Sequence, residues 1–436
     1  MIKVIKEQFK SEIVKTGLIF GTSTFIKLLS GLVIAKLIVL SVGLNGFGVI
    51  SQFQSLMNIL LVFAGGGISN GVMKYVSEHR NSDIKELNLI LKTSTFIILI
   101  FGLVIGSLLI VFSKNLSIYL FQSSKYSHII IILAIVQFFI GFNNFFQSVI
   151  NGYREVKSFA ISSILGSIVG LVFVYFLSIS KDISLLMIGQ VLFGFFSSFF
   201  CIFFLVNKSY YKTLSFKPFF YKNKSKLLFK YTLMLLVTVS TLPIAQILIR
   251  NLIGTKFGWD SVGKWQGVMK ISDAYLQFIT IILANYFFPK LAELQSKALI
   301  KNEVFKTLTF IVPITILISI CIFTFKKYII LILYSHSFLG IDDFFTFQLI
   351  GDIFKVAAYT IIFVAAAKGL TLVYIFAEIF QSLCLVLFSY FFIDSYGPIG
   401  VTFAYALTYF IYLIFSLVIL YIFLKTNFFE RKFNLW

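Results

Sequence analysis

The sequence predicts an all-α integral membrane protein with about 12 transmembrane helices in two pseudo-repeated six-helix lobes. Three observations predict this fold class: an apolar composition, recurrent apolar runs of membrane-spanning length, and a one-sided distribution of lysine and arginine. Of 436 residues, 59% are hydrophobic and only 12% are charged, whereas soluble domains carry about 25% charged residues. A water-soluble fold could not bury so much apolar surface.

Apolar runs of about 20 residues, the length needed to cross a bilayer, recur along the whole chain. The first run is not expected to be a cleavable signal peptide, because Lys27 interrupts it and no small-residue cleavage site precedes Ser41. The N terminus is therefore expected to be retained. The twelve predicted spans lie near residues 17–40, 48–70, 93–113, 128–150, 159–180, 184–206, 231–253, 266–289, 307–325, 346–367, 371–393 and 399–424.

The loops between the spans predict the orientation of the chain. If residues 1–16 are cytoplasmic, 25 of the 37 lysines and arginines lie in cytoplasmic segments and only 7 in external loops. Cytoplasmic loops carry such an excess of basic residues. An even number of spans with both termini in the cytoplasm is therefore predicted, and the formal net charge of +20 needs no nucleic-acid partner, since a basic inner face suits anionic lipids.

The longest charged loop, residues 207–230, divides the spans into two sets of six. We predict an N-terminal lobe over residues 1–206, a basic cytoplasmic linker over residues 207–230 and a C-terminal lobe over residues 231–436. Transporters built from two repeated lobes have this organisation. The second and eighth spans also share a weak sequence similarity, since Gly48 precedes Gln52 and Gly263 precedes Gln266.

Basic side chains at membrane depth are the first candidates for function, because a charge there is costly unless it faces water or a partner. Lys27 lies about ten residues into the first span, near the middle of the hydrocarbon, and is interpreted as a ligand for an anionic group. Lys36 lies on the opposite side of an ideal helix, so both lysines can line one cavity only if the helix bends, for example at Ser30-Gly31. Lys36 could instead extend towards the outer interface.

The C-terminal half contains two opposite-charge pairs at i,i+3 spacing, Lys270 with Asp273 and Asp352 with Lys355. Residues at this spacing share a helix face. Either pair could simply neutralise itself, and Lys270/Asp273 lies near the outer end of its span. Asp352/Lys355 lies deeper, so Lys355 is also a candidate substrate ligand, and Asp273 and Asp352 are candidates for ion coupling or charge pairing.

Two further ionisable residues lie inside predicted spans. Glu378 has no cation at i,i+3 or i,i+4 in its own span and could bind and release a proton, or pair with Lys368 or a neighbouring helix. Arg250, four residues from the outer end of the seventh span, is interpreted as an interfacial anchor or, if it faces inward, as a bidentate phosphate ligand.

Other chemistries are not indicated. The three cysteines form no short-spaced pair, so neither a disulfide framework nor a metal site is predicted. The sequence has no Gly-x-x-x-x-Gly-Lys-Ser/Thr motif, which argues against direct ATP use. No catalytic residue and no cofactor are predicted. The intramembrane charges, five basic and three acidic, favour a cationic cavity that attracts an anionic headgroup.

Three stretches resemble one known family closely: Ala64–Val76 (AGGGISNGVMKYV), Trp265–Thr280 (WQGVMKISDAYLQFIT) and Gly351–Val356 (GDIFKV). The sequence resembles the Wzx-type O-antigen flippases of the polysaccharide-transport family in the multidrug/oligosaccharidyl-lipid/polysaccharide exporter (MOP) superfamily. It is most similar to the subgroup that handles enterobacterial common antigen. Lys27, Lys36 and Glu378 match residues of that subgroup, whereas Lys270 replaces a small residue.

The resemblance implies a MATE-like, V-shaped pair of six-helix bundles that alternates access between the two faces of a bacterial inner membrane. The implied cargo is an oligosaccharide on undecaprenyl pyrophosphate, moved from the cytoplasmic to the periplasmic leaflet. The implied partners are this lipid-linked oligosaccharide and membrane lipids, with a polysaccharide polymerase and a chain-length regulator as further candidates.

Three rival classes remain as hypotheses. A MATE-like drug antiporter would share the lobes, but organic cations favour net negative intramembrane charge. A membrane glycosyltransferase or polymerase would carry large polar external loops, and the longest external stretch here runs only from Lys326 to Phe345. A purely structural membrane protein would not need Lys27.

Overall fold

The computed structural model describes the backbone of residues 2–425, together with their side chains except those of residues 2–18, 20, 230, 231, 233, 234 and 285. The predicted cytoplasmic C-terminal segment after Lys425 lies outside the described residues. The described chain is helical, with short 3₁₀ turns and one π-helical turn at Leu283–Phe287. Its α-helices are α1 Ile2–Phe63, α2 Ser69–His79, α3 Ile84–Val111, α4 Ser113–Phe121, α5 Ser127–Gly152, α6 Val156–Ser178, α7 Ile183–Val206, α8 Lys222–Phe257, α9 Trp259–Ile282, α10 Phe288–Glu293, α11 Lys297–Leu333, α12 Phe345–Ala367, α13 Thr371–Tyr396 and α14 Gly400–Lys425.

The predicted twelve spans correspond to these helices. In the part of the chain that the structure describes, nine stretches are long and apolar enough to cross a membrane. Two of them each contain two helices: Gly21–Phe63 is divided within α1, and Thr371–Lys425 comprises α13 and α14. The 24-residue helix α9 is also long enough to span a bilayer. The prediction of an all-α, multi-pass fold is therefore confirmed.

The break in α1 lies at Gly43, whose φ of 64° and ψ of −162° are the non-helical values inside this helix. A positive φ is readily adopted only by glycine. The bend at Ser30-Gly31 that would let both lysines line one cavity is not observed, because this pair continues the helix. Lys27 and Lys36 consequently lie on opposite sides of the first part of α1, nine residues and about 180° apart.

The second span also ends earlier than the sequence predicts. Helix α1 stops at Phe63, and Gly66 and Gly67 both have a φ of 63°. Two successive residues in this left-handed region end the helix and redirect the chain into α2. The Gly-rich stretch that carries the family resemblance thus serves as a helix terminus rather than as part of a span.

The described residues form two compact units. The first comprises the described residues of Met1–Val42 and of Leu56–Val239. Its core lies between α2, α3, α5, α7 and the start of α8, where Ile68, Val76, Ile98 and Val149 are buried. The residues predicted as a linker are structured here: Ser209–Thr213 form a 3₁₀ turn and α8 begins at Lys222.

The second compact unit comprises Gly43–Ser55 and the described residues of Ser240–Trp436. Helix α12 is its most enclosed span, packed against α9, α11 and α14. The segment Gly43–Ser55, which is the part of α1 after the break, packs on α8 and α9 of the same unit. The predicted division into lobes at residues 206 and 231 remains a prediction.

Candidate functional site

Asp352 lies at the centre of a polar cluster inside the second unit. Its side chain is 0% exposed. The hydroxyl of Tyr275 on α9 donates a hydrogen bond of 2.6 Å to its carboxylate, and the hydroxyl of Tyr405 on α14 donates one of 2.8 Å. The Gln348 amide, one turn earlier on α12, donates a third at 3.4 Å. These neutral donors satisfy the buried carboxylate and link three helices.

The local sequence explains this close approach. Gly351 directly precedes Asp352, and a Cβ at Gly351 would overlap the ring of Tyr405. Glycine therefore lets α14 approach α12 closely enough for the Tyr405 hydroxyl to reach the carboxylate.

Lys355 does not form an ion pair with Asp352. Within the described residues no carboxylate oxygen lies within 4.0 Å of the Lys355 ammonium. The ammonium instead lies 5.3 Å from the ring centroid of Tyr409 and 5.6 Å from that of Tyr405. Cation–π contacts of this kind attract a cation without neutralising its charge. The i,i+3 spacing suggested that Asp352 and Lys355 pair directly. Each of them instead contacts tyrosines.

Glu378 on α13 lies in the same unit and is 3% exposed. Tyr374 lies one turn before it on its own helix, Lys355 and Tyr359 face it from α12, and Tyr412 faces it from α14. Its Oε1 atom has no hydrogen-bond partner among the described residues. A buried carboxyl with an unsatisfied oxygen is an exception that needs an explanation.

Of the partners suggested for Glu378, Lys368 is not observed beside it, whereas groups on the neighbouring helices α12 and α14 are. The amide nitrogen of Gln381 donates to the hydroxyl of Tyr359 at 2.9 Å. The ammonium of Lys368 donates to the backbone carbonyl of Leu294, beyond α10, and not to Glu378. The surroundings of Glu378 are thus tyrosine hydroxyls and the Lys355 ammonium.

Arg250 is buried and therefore not an interfacial anchor, which corrects the first interpretation of this residue. Its guanidinium is 3% exposed and donates to Ser55 Oγ at 2.6 Å, to Gln266 Oε1 at 2.7 Å and to Gln246 Oε1 at 3.4 Å. It also lies 5.7 Å from the ring of Trp265. All these partners are neutral, so Arg250 keeps its charge while joining Gly43–Ser55 to α8 and α9.

Lys270 and Asp273 are not an ion pair in the described part of the chain. Asp273 is exposed and Lys270 is half-buried. Asp273 is exposed, unlike the buried carboxyl groups of Asp352 and Glu378, but it lies close enough to act electrostatically on Lys355 and Arg250.

The first unit holds the other two predicted ligands. Lys27 is exposed, and its ammonium lies 5.8 Å from the ring of Phe159 on α6. Lys36 is half-buried on the opposite side of α1. The structure therefore does not bring these two lysines to one face.

The sequence interpretation missed the tyrosines. Tyr275, Tyr359 and Tyr405 contact the buried polar groups through their hydroxyls, and Tyr409 does so through its ring. A signal was present, because Tyr405, Tyr409 and Tyr412 recur at i, i+4 and i+7 on one face of α14. Among residues that the structure describes, no group of three or more His, Cys, Asp or Glu side chains could hold a metal ion.

Comparison with known proteins identifies the family. A family model described as polysaccharide biosynthesis protein matches residues 33–343, which is most of the chain. The chain belongs to this family.

Curated relatives of this chain include flippases. The chain is 33% identical to the Lipid III flippase of Escherichia coli (strain K12) over 398 residues, which cover 91% of this chain and 95% of that protein. The resemblance to lipid-linked oligosaccharide flippases is therefore confirmed, and this family member is a multi-pass inner-membrane protein.

Solved structures show the fold. An inward-facing multidrug resistance transporter of the MATE family, in the MOP superfamily, matches with a TM-score of 0.82 at 14% identity, over 93% of this chain and 96% of that one. The Lipid II flippase MurJ in an inward closed conformation matches with a TM-score of 0.70 at 17% identity, over 94% and 87%. These likenesses confirm the predicted MOP-type fold for this member of the polysaccharide biosynthesis protein family.

Proposed function

We propose that this protein is a flippase that moves an oligosaccharide on undecaprenyl pyrophosphate from the cytoplasmic to the periplasmic leaflet by alternating access. The observation that carries the proposal is the 33% identity to a Lipid III flippase over nearly the full length of both chains. The protein is a transporter and not an enzyme. Alternating access needs no covalent chemistry, because two lobes expose one site to each side in turn.

Lys27 is the proposed main ligand for the anionic pyrophosphate. Its side chain retains accessible surface while protein atoms partly desolvate its ammonium, in the middle of a predicted span. A lysine at that depth is costly unless it meets water or an anion. Lys355 is a second candidate, because its ammonium is held by aromatic faces and retains its charge. Lys36 lies on the other side of α1 and could contribute only to the general positive field.

Arg250 has a different proposed role. Its neutral partners Ser55, Gln246 and Gln266 bind the two terminal nitrogens of the guanidinium, while Nε is buried without a hydrogen-bond partner among the described residues. To bind pyrophosphate, Arg250 would have to exchange these bonds for phosphate oxygens, which form stronger charge-assisted bonds. We therefore propose Arg250 as a ligand only in a state in which Gly43–Ser55 has separated from α8 and α9.

Ion coupling is proposed for Glu378. Asp352 is held by hydroxyl donors and Asp273 is exposed, whereas Glu378 has an unsatisfied oxygen in a buried setting. A carboxyl group of this kind can change its protonation state when water reaches it.

The alternative function is an ion-coupled drug antiporter. Such cargo is cationic and would need accessible carboxylates, but Asp352 and Glu378 are buried whereas Lys27 is exposed. Asp273 is the exposed one of the three intramembrane carboxylates, so an antiporter would use it, and Asp273→Asn should then abolish export of organic cations.

Further parts of the proposal concern topology and partners. The lysine and arginine distribution supports cytoplasmic positions for both termini. A polysaccharide polymerase and a chain-length regulator are proposed partners because they would act on the oligosaccharide after it has crossed the membrane.

The function is tested by complementation. Expression of this protein in an Escherichia coli strain that lacks its Lipid III flippase should restore surface polysaccharide and reduce the lipid-linked sugars that accumulate. Purified protein in vesicles should also accelerate transfer of a lipid-linked oligosaccharide between leaflets. If both assays show no difference from empty controls while the protein is inserted, the proposed function is wrong.

A further inference from the structure

The segment Tyr211–Tyr221 is fixed along α3 and is not a free linker. The side-chain amide of Asn88 binds it twice, donating to the Thr213 carbonyl at 3.0 Å and accepting from the Ser215 amide at 2.8 Å. One turn further along α3, the Lys92 carbonyl accepts a hydrogen bond of 3.3 Å from the amide of Phe219. The segment therefore follows α3 in a defined register.

Two ion pairs hold the flanks of this segment. Lys208 pairs with Glu155 at 2.5 Å, and Lys224 pairs with Glu86. Lys212 and Lys217 are different: both are exposed, and the described part of the chain places no carboxylate oxygen within 4.0 Å of either ammonium. The nearby acidic side chains are thus occupied, and these two positive charges are not neutralised.

The two lysines border an open pocket of about 540 Å³. Its lining includes two lysines, a serine and a tyrosine, and no acidic residue. Such a lining suits an anionic group with several oxygen acceptors. The pocket is lined by Tyr211, Lys212, Leu214, Ser215, Phe216 and Lys217.

Two exposed aromatic rings follow the pocket at the level where α3 becomes apolar. Phe219 is 57% exposed and Phe220 is 46% exposed. The ring of Phe220 lies 5.5 Å from that of Phe96, which lies within the span of α3. Asn88, which anchors the pocket, precedes Lys92 by four residues and Phe96 by eight, or about 6 and 12 Å along the helix. The rings therefore lie at greater membrane depth than the lysines.

We propose that the segment Tyr211–Tyr221 binds an anionic phospholipid of the leaflet beside it. The phosphate would lie in the pocket between Lys212 and Lys217, and Phe219 and Phe220 would insert at the boundary of the acyl chains. Interfacial anchors combine these two features, with apolar side chains about 5–10 Å deep and lysines at the headgroups. A soluble anion would explain the pocket but not the exposed rings. This inference does not depend on the proposed flippase activity.

The test uses the full-length protein in nanodiscs of phosphatidylcholine alone or of phosphatidylcholine with phosphatidylglycerol. Hydrogen exchange of the backbone amides of Leu214–Tyr221 is compared in the two lipids. Phosphatidylglycerol should slow exchange, and each lysine should account for about fivefold, the effect of one basic residue near an anionic leaflet. The difference should disappear at about 1 M salt, where the Debye length is about 3 Å.

Two variants distinguish the pocket from general charge. K212Q/K217Q should remove the dependence on phosphatidylglycerol, whereas K301Q/K306Q, which removes two exposed lysines from α11, should preserve it. Unchanged exchange of α3 and α5 confirms that the variants are folded. F219S/F220S should speed exchange of the segment in both lipids.

Either of two results would overturn the proposal. Equal exchange of the wild-type segment in neutral and anionic nanodiscs would exclude headgroup recognition. If K212Q/K217Q and K301Q/K306Q reduce the dependence of exchange on phosphatidylglycerol equally, the effect comes from general charge and not from a binding site.

Discussion

Gly48 and Gly263 lie where the second part of α1 crosses α9, and neither position has room for a side chain. A Cβ on Gly48 would lie 2.6 Å from the Trp259 carbonyl oxygen and 3.0 Å from the Gly263 amide nitrogen, and one on Gly263 would overlap the Leu44 carbonyl. The glutamines that follow each glycine bind neighbouring groups: Gln52 donates to Asn251 at 2.9 Å, and Gln266 accepts from Arg250. The similar Gly and Gln positions in the two spans thus meet at one helix crossing, where each glycine permits close packing and each glutamine binds a neighbouring side chain.

Because the two helices pack so closely at this crossing, adding a single methyl group there should destabilise the protein. Gly263→Ala should lower the melting temperature of the purified protein, since the obstructing atoms are backbone and overpacking costs about 1–3 kcal/mol. Gly31→Ala is the control, because a Cβ at Gly31 in α1 would meet no described atom within 4 Å. That variant should be unchanged or more stable. Equal melting temperatures for both variants would contradict the close packing.

Removing the hydroxyl groups of two buried tyrosines on α14 should have different effects on stability. Tyr405→Phe removes a hydroxyl that donates to Asp352, and should cost about 1–3 kcal/mol because it leaves a buried carboxyl oxygen without that donor. Tyr409→Phe is matched in burial, but its hydroxyl makes no hydrogen bond of normal geometry in the described structure and faces Lys355 and Tyr359 only through weaker polar contacts. It should therefore cost under about 1 kcal/mol. Thermal unfolding of both variants provides the measurement, and a Tyr409→Phe cost as large as that of Tyr405→Phe would argue against a special role for the Asp352 contact.

The sequence predicted the fold better than it predicted the site, for physical reasons. Span positions follow from apolar length, which one sequence displays directly, so α5, α7 and α12 lie where they were expected. The partners of Asp352 do not follow from spacing. Lys355 lies at i+3, but the hydroxyls that reach the carboxylate come from Tyr275 and Tyr405 on other helices. Tertiary packing decides such contacts, and one sequence does not display it.

The burial of Arg250 also could not be predicted from its position in the sequence. Its distance from the end of a span suggested an interfacial position, but the end of α8 is covered by the segment Gly43–Ser55, about 200 residues earlier in the chain. A break at Gly43 begins that segment. The sequence does not show which glycine adopts a positive φ, so this break could not be predicted.

The third prediction concerns the anionic headgroup. Lys27→Ala should abolish transport without preventing insertion, because it removes an exposed intramembrane cation while keeping a good helix former. Lys27→Arg should retain transport if charge is the requirement. Lys85→Ala, which removes an exposed lysine from the first turn of α3, is the control and should behave as the wild type. Surface polysaccharide in the complemented strain is the readout, and normal assembly with Lys27→Ala at comparable protein levels would exclude Lys27 as an essential ligand.

The last prediction concerns the driving force. With no nucleotide-binding motif in the sequence, transport against a gradient requires an ion, and Glu378 is the proposed carrier of a proton. Glu378→Gln keeps the shape and most hydrogen-bonding capacity of the side chain but cannot titrate. In reconstituted vesicles this variant should lose the acceleration of flipping by an imposed pH gradient and keep downhill exchange. Glu303→Gln is the matched control. Glu303 on α11 pairs with Lys290 at 3.3 Å, so its loss should leave the pH response intact. A Glu378→Gln protein that still responds to pH would assign coupling to another carboxyl group, and wild-type flipping that ignores both proton and sodium gradients would remove the need for any ion carrier.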